Sequence, residues 1–170
     1  MRELVIGGAR SGKSAYAERA ALDSGLRIIY LATAQALDDE MAQRIAHHRA
    51  RRPSGWRSVE EPFALADALT REAAPDACVL VDCLTLWLTN VLLASREAEI
   101  ERFLDTLPAL PGRIILVSNE VGWSIVPENA LARRFRDEQG RLNQRVAALA
   151  ERVTLVAAGL PLSLKQGGSP

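Results

Sequence analysis

The stretch Gly7-Gly8-Ala9-Arg10-Ser11-Gly12-Lys13-Ser14 has the spacing G-x-x-x-x-G-K-[ST], and the chemistry of that spacing is phosphate binding. Glycines permit a tight turn in which several backbone N–H groups point at one phosphate chain. The apolar run before the loop predicts a strand, and the Ala-rich segment after it predicts a helix. That helix would add its positive N-terminal end to the site. Lys13 is placed to reach the β- and γ-phosphates, and the Ser14 hydroxyl to ligate Mg²⁺. A Gly-rich turn matching by chance would explain the string but not its strand-loop-helix setting. The reading is a nucleoside triphosphate site, with neither the base nor the acceptor specified.

Lysine usage sharpens this. The chain has 21 Lys+Arg, of which only Lys13 and Lys165 are lysines. One of the two therefore falls at the phosphate-reaching position. A phosphate-bound magnesium ion also needs a carboxylate at the end of a neighbouring strand. Asp82 closes the run Val79-Leu80-Val81 and suits that role. An ordinary strand-end Asp capping the next helix would look the same in sequence. Cys83, with no histidine near it in sequence, reads as a small packing residue.

The two histidines, His47 and His48, are adjacent within a predicted helix over Asp38–Arg51. Residues four apart share a helix face, so Arg44, His48 and Arg52 form one row if the helix reaches Arg52. His47 points about 100° away. Arginines would hold phosphate oxygens in a planar, bidentate way. Their charge disfavours a further cation on the ring, leaving a neutral imidazole able to act as a nucleophile. Spacing alone leaves a second reading open, a partly buried histidine in a solvated Arg-rich helix.

These residues need a scaffold. Five short apolar runs read as strands buried on both faces: Leu4–Ile6, Arg27–Ala32, Cys78–Val81, Arg113–Val117 and Thr154–Ala157. Helical spacing lies between them, over Lys13–Ser24, Asp38–Arg51, Phe63–Glu72, Thr85–Ser95, Ala98–Leu107 and Ala130–Arg152. In the last of these, Leu131, Phe135, Leu142, Val146 and Leu149 are the expected core positions, and Gly140 weakens the helix by about 1 kcal/mol relative to Ala. Strands alternating with helices predict an α/β, P-loop NTPase-like fold of RecA-like type. Its mostly parallel central sheet carries helices on both faces. No linker divides the chain, so one domain over residues 1–170 is expected. Gln166–Pro170 reads as a frayed tail.

Composition narrows the function classes. With 21 Lys+Arg against 21 Asp+Glu the net charge is zero, which argues against nucleic-acid binding by bulk charge and against a polybasic membrane anchor. Arg49, Arg51 and Arg52 with Trp56 could suggest a nucleic-acid patch, but no repeated aromatic interleaving accompanies them. The apolar runs are strand-sized, far below the roughly 20 residues of a membrane span. The N-terminus lacks the layout of a signal peptide. Cys78 and Cys83 do not make a disulfide framework. A cytoplasmic setting is the expectation.

The motifs together resemble the adenosylcobinamide kinase / adenosylcobinamide-phosphate guanylyltransferase family of cobalamin biosynthesis. The likeness runs nearly end to end. Beyond the phosphate loop it includes Tyr30-Leu31-Ala32-Thr33-Ala34, Asp39-Glu40-Met41, Arg44-Ile45, His48-Arg49, Arg52-Pro53, Trp56 and Glu60. It continues through Asp82-Cys83-Leu84-Thr85, Asn119-Glu120-Val121-Gly122, Ile125-Val126-Pro127-Glu128-Asn129 and Asn143-Gln144. The phosphate loop is generic, whereas the His48–Pro53 stretch and the Asn119–Asn129 loop are far more specific.

The resemblance implies two reactions. A nucleoside triphosphate, ATP or GTP, phosphorylates the aminopropanol hydroxyl of adenosylcobinamide. GTP then gives GMP to His48, and adenosylcobinamide phosphate takes it to form adenosylcobinamide-GDP. Carried over by motif, His48 is the nucleophile, with Arg44, Arg49 and Arg52 around it. Glu60 and Asp82 become nucleotide or Mg²⁺ contacts, and Ala32-Thr33-Ala34 lies near the nucleotide. A homotrimer is also implied. No Asn-Lys-x-Asp guanine motif is present, which counts against a guanine-nucleotide switch. A single-function P-loop kinase and a bare ATPase module stay open as rival functions.

Overall fold

The computed structural model describes residues 1–35 and 55–167. The predicted Asp38–Arg51 helix, with Arg44, His47, His48 and Arg49, lies outside the described residues, as does Arg52. The strands are β1 (Arg2–Gly7), β2 (Arg27–Ala32), β3 (Arg57–Glu60), β4 (Ala77–Asp82), β5 (Arg113–Asn119), β6 (Arg152–Ala157) and β7 (Leu160–Lys165). The helices are α1 (Lys13–Leu22), α2 (Leu65–Glu72), α3 (Leu84–Leu93), α4 (Ala98–Thr106) and α5 (Ala130–Leu149), with a 3₁₀ turn at Leu107–Ala109. One seven-stranded sheet runs in the order β3-β2-β4-β5-β1-β6-β7. Every pairing is parallel except the antiparallel β6–β7 hairpin.

The handedness of crossover connections explains where the helices go. Parallel strands are joined by right-handed crossovers. The β1-to-β2 connection runs one way along the sheet, whereas β4-to-β5 and β5-to-β6 run the other. Opposite directions with one hand require opposite faces. Accordingly Ala17 and Ala21 of α1 pack with Val5, Tyr30, Cys78, Leu80, Ile115 and Val117 on one face. Leu69 of α2, Trp87 of α3, Phe103 of α4 and Val146 of α5 pack with Leu4, Ile29, Val79 and Leu116 on the other. Ile28 and Tyr30 face α1 while Ile29 and Leu31 face away, the period-two alternation of a strand covered on both sides. Trp87 and Phe103 meet edge to face at 5.2 Å, and the Trp87 indole N–H donates to the Phe63 carbonyl at 2.8 Å.

The expected mostly parallel α/β architecture is present, with differences at its margins. β3 and β7 were not among the five expected strands. Both are edge strands, and neither is a continuous apolar run: β3 is Arg-Ser-Val-Glu, and β7 carries Pro161 and Ser163 among its leucines. Two expected core positions are corrected as well. Leu142 and Val146 are buried, but Leu131 and Leu149 are exposed, because they occupy the end turns of α5, beyond its contact with the sheet. The α5 face toward the sheet instead buries Gln139 and Asn143.

One buried ion pair joins the two central strands. Arg113 of β5 donates to Glu3 of β1 at 2.7 Å, with the Glu3 side chain fully buried. Glu3 Oε1 and Arg113 Nε have no partner within the described residues. Removing one member of such a pair strands the other charge in the interior. Arg113→Ala is therefore expected to cost about 3–5 kcal/mol in denaturant unfolding, with Glu3→Leu/Arg113→Met recovering most of it. A loss below about 0.5 kcal/mol for Arg113→Ala would contradict this assignment.

Candidate active site

The site begins where β1 ends. Gly7 closes the strand and the loop returns to α1 at Lys13. Gly12 has φ +94°, a left-handed conformation at the N-cap of α1 that glycine adopts without a Cβ clash. Gly7 is required for a different reason: a Cβ there would lie 2.4 Å from the Val156 carbonyl oxygen and 2.6 Å from Ser11 Oγ. The β6–β7 turn presses against the loop from outside, where the Gly159 N–H donates to the Ser11 carbonyl at 2.8 Å. The loop is thus braced by a strand pair on the far side of β1.

What the loop leaves unsatisfied fits an anion. The N-terminus of α1 has no side-chain cap and no acidic residue in its first turn, so its free N–H groups and positive end are open to a ligand. By contrast, the Glu61 carboxylate accepts from Phe63 N and Ala64 N ahead of α2, and Asn129 caps α5. Ser11 Oγ is buried and has no partner among the described residues. Lys13 Nζ folds back and donates to the Gly8 carbonyl at 3.2 Å. A cation, a buried hydroxyl and uncapped amides converge on one loop, and phosphate oxygens are the acceptors that would use all three.

Asp82 stands at the C-terminal end of β4, two strands from β1. Tyr30 of β2 donates its hydroxyl to Asp82 Oδ2 at 2.6 Å, fixing the carboxylate. Ser14 and Asp82 are hard oxygen donors, and one carboxylate with one hydroxyl is the usual protein share of a phosphate-bound Mg²⁺. Among the described residues no group of three or more His, Cys, Asp or Glu side chains could hold a metal by itself.

Other expected residues are placed less directly. Ala32 is buried and Ala34 half-buried. Thr33 is fully buried, its hydroxyl donating to the Cys83 carbonyl at 2.7 Å and accepting from the Cys83 N–H at 3.0 Å. Its side chain therefore ties β2 to the turn after β4 and faces the protein interior. Asn90 of α3 holds the same corner, donating to the Thr33 carbonyl at 2.8 Å. Glu60 ends β3 at the sheet edge, exposed and about 19 Å from β1 by strand spacing. Glu60 and the phosphate loop thus share one end of the sheet without being adjacent.

The sequence reading picked out Thr85, Asn119 and Asn143 as motif residues but not their role, nor Ser118 and Gln139, in the polar network that holds the site from behind. Ser118 donates to Asn143 Oδ1 at 2.6 Å, Gln139 Nε2 to the same atom at 3.0 Å, and Asn143 Nδ2 to the Asn119 carbonyl at 3.0 Å. Thr85 accepts from the Asn119 N–H at 2.8 Å. Two polar residues one helical turn apart on the inner face of α5 were a readable signal. So was Tyr30, since a buried tyrosine hydroxyl needs a partner.

The profile of the cobinamide kinase / cobinamide phosphate guanyltransferase family matches residues 3–164. The chain belongs to that family. It is an enzyme of this kinase and guanylyltransferase type, with a mostly parallel, P-loop NTPase-like sheet. It is 58% identical over 169 residues to the bifunctional adenosylcobalamin biosynthesis protein CobP of Pseudomonas aeruginosa, covering 97% of this chain and 98% of the relative. The CobU proteins of the same description from Salmonella typhimurium and Escherichia coli are 43% and 42% identical over 182 residues, covering 97% of this chain and 100% of each relative. Among solved structures, the flagellar accessory protein FlaH of Methanocaldococcus jannaschii matches with TM-score 0.54 and 14% identity over 98% of this chain and 78% of that one. A Pyrococcus horikoshii protein, PH0250, matches with TM-score 0.56 and 10% identity over 99% and 87%. These two share the fold alone.

Two outcomes follow from the geometry. Gly7→Ala is expected to lose about 1–3 kcal/mol of stability through overpacking, while Gly8→Ala, whose Cβ meets nothing within 4 Å, stays within about 0.5 kcal/mol. Equal losses in denaturant unfolding would contradict the close approach. Separately, burial first and the Asp82 charge next push the Cys83 thiol up to about 11, and burial also raises Cys78. Only thiolates react readily, so neither cysteine should take up iodoacetamide at pH 8 until denaturant is added. Rapid alkylation of Cys83 in the folded protein, read by mass spectrometry, would contradict its packing role.

Proposed function

We propose that residues 1–170 form one P-loop domain that carries out both reactions on adenosylcobinamide, with the phosphate loop as the triphosphate cradle and His48 as the guanylylated residue. The observation that carries this reading is the loop itself. Lys13, the buried Ser11 hydroxyl and the uncapped start of α1 converge there, with an Asp82 carboxylate fixed by Tyr30 two strands away at the same end of the sheet.

In the kinase step the aminopropanol hydroxyl oxygen attacks the γ-phosphorus of ATP or GTP. A new P–O bond forms, the bond to the β-phosphate oxygen breaks, the nucleoside diphosphate leaves and the hydroxyl proton passes to solvent. The loop N–H groups and Lys13 are preorganised donors for the charge that shifts onto the β- and γ-phosphate oxygens. Ser14 and Asp82 would hold Mg²⁺, which, when bound, neutralises phosphate charge.

In the transferase step the His48 ring nitrogen attacks the α-phosphorus of GTP, forming a P–N bond and releasing pyrophosphate. A phosphate oxygen of adenosylcobinamide phosphate then displaces the histidine, giving adenosylcobinamide-GDP and restoring His48. Arg44, Arg49 and Arg52 are proposed to grip phosphate oxygens around the ring. The family likeness supports this assignment through the residue order His48-Arg49, which separates His48 from His47. We extend the reading to a cytoplasmic homotrimer with no nucleic-acid partner. An exposed stripe of Leu160, Leu162 and Leu164 on edge strand β7 supports self-association. No helix among the described residues is long and apolar enough to cross a membrane.

The test is incubation with α-labelled GTP. His48→Ala should trap no acid-labile label, while His47→Ala labels normally. The reverse pattern would overturn the assignment. Lys13→Ala should lower kinase kcat/KM by about 100-fold or more, the scale of losing one preorganised charge-stabilising donor. A loss below about tenfold would remove the loop from the kinase step. Kinase activity with no labelling of any variant or of the native chain would favour the single-function kinase.

A further inference from the structure

The loop from Asn119 to Asn129 is not used by any step above, yet its root lies at the phosphate cradle. Asn119 ends β5 in register with Gly7, and the Glu120 N–H donates to the Gly7 carbonyl at 3.0 Å. The sheet order β4-β5-β1 sets Asn119 between the Asp82 strand and the phosphate-loop strand. Its backbone is clamped on both sides by Thr85 and Asn143, the latter held by Ser118 and Gln139. For all that positioning, the Asn119 side-chain oxygen is buried and has no partner within the described residues. A buried acceptor left open among the described residues is a ready partner for a donor that a ligand brings.

The rest of the loop differs in character. Trp123 is 75% exposed, Ile125 93%, Val126 57% and, at the start of α5, Leu131 54%. The loop backbone is braced: Gly122 N–H donates to Glu120 Oε1 at 2.8 Å, Ser124 Oγ to the Val121 carbonyl at 3.1 Å and Arg133 to the Pro127 carbonyl at 3.0 Å. A built loop that turns its large apolar side chains to water forgoes roughly 1.5–3 kcal/mol for each side chain left unburied. Large apolar side chains exposed together along one braced loop are candidates for a binding surface.

We propose that this loop is the acceptor site. The Asn119 carboxamide oxygen accepts a hydrogen bond from the substrate hydroxyl that will be phosphorylated, and Trp123, Ile125 and Val126 support an apolar face of the corrin macrocycle. The inference rests on the reading of the loop at residues 7–14 as the triphosphate cradle. Continuity selects the occupant. A hydroxyl brought to a γ-phosphate in that cradle carries its macrocycle with it, and the bulk must rest on whatever surface borders the cradle. Trp123 is four residues from Asn119, at most about 14 Å of extended chain. Exposed apolar side chains on a loop rooted at Asn119 and Glu120 suit a ring with apolar faces and an amide-bearing rim.

The experiment uses the full chain and cobinamide itself. Calorimetric binding of cobinamide and steady-state kinase kinetics are measured for the native protein, Trp123→Ser/Ile125→Ser and Asn119→Ala, with particle mass by light scattering. The double variant should weaken cobinamide binding and raise its KM by tenfold or more, with kcat at saturating cobinamide changed less than threefold and particle mass unchanged. Asn119→Ala should lower kinase kcat by tenfold or more with triphosphate affinity within twofold of native. Native-like cobinamide affinity in the double variant would overturn the proposal. So would a fall in particle mass that accounts for any loss, which would make the loop an interface between copies. Failure of the cradle reading is separately visible, as native triphosphate affinity in Lys13→Ala.

Discussion

The carbonyl of Ser11 accepts a hydrogen bond from Gly159, and on that contact between the phosphate loop and the β6–β7 turn much of the site depends. It fixes the outside of a loop whose inside must stay open. Gly7 passes so close to Val156 that no larger residue fits, and Gly12 turns left-handed to start α1. The reversal of crossover direction at β1 makes the contact possible, since it puts β5 on one side of the loop strand and β6 on the other. The crevice outside strand ends at such a reversal is where open α/β sheets bind ligands.

Around this loop the protein uses buried polar groups as positioning devices. Tyr30 holds Asp82, Thr33 and Asn90 hold the turn at Cys83, and Thr85 with Asn143 holds Asn119. Each group is close to the C-terminal end of a parallel strand, and each satisfies a partner that would otherwise be stranded in the interior. Among the described residues, the buried atoms without a partner include Ser11 Oγ and Asn119 Oδ1. Ser11 lies in the loop after β1 and Asn119 ends the neighbouring β5.

The central strands and the phosphate loop were legible because their signals are local. A doubly covered strand is a continuous apolar run, and a phosphate loop is a fixed spacing of glycines with Lys and Ser. Edge strands β3 and β7 were not legible, since one-sided or exposed strands need no apolar run and show only when a neighbour pairs with them. Leu131 and Leu149 have the right helical period but lie past the sheet, a fact about α5's reach rather than its sequence. Asp82 was readable as a strand-end acid, whereas its tether to Tyr30 spans 52 positions and exists only after folding. Thr33 shows the converse, because a residue beside the right strand end turned its side chain inward. The proposed choice of His48 over its neighbour rests on the family likeness, since spacing does not separate them.

The central claim is that the loop from Gly7 to Ser14 receives the triphosphate, and a crystal structure with a non-hydrolysable triphosphate and Mg²⁺ tests it most directly. The predicted result is a phosphate chain wrapped by the loop N–H groups. Lys13 Nζ would have left the Gly8 carbonyl for a phosphate oxygen, and Ser11 Oγ would have gained a partner. A triphosphate bound elsewhere, with Lys13 still on Gly8, would contradict the account.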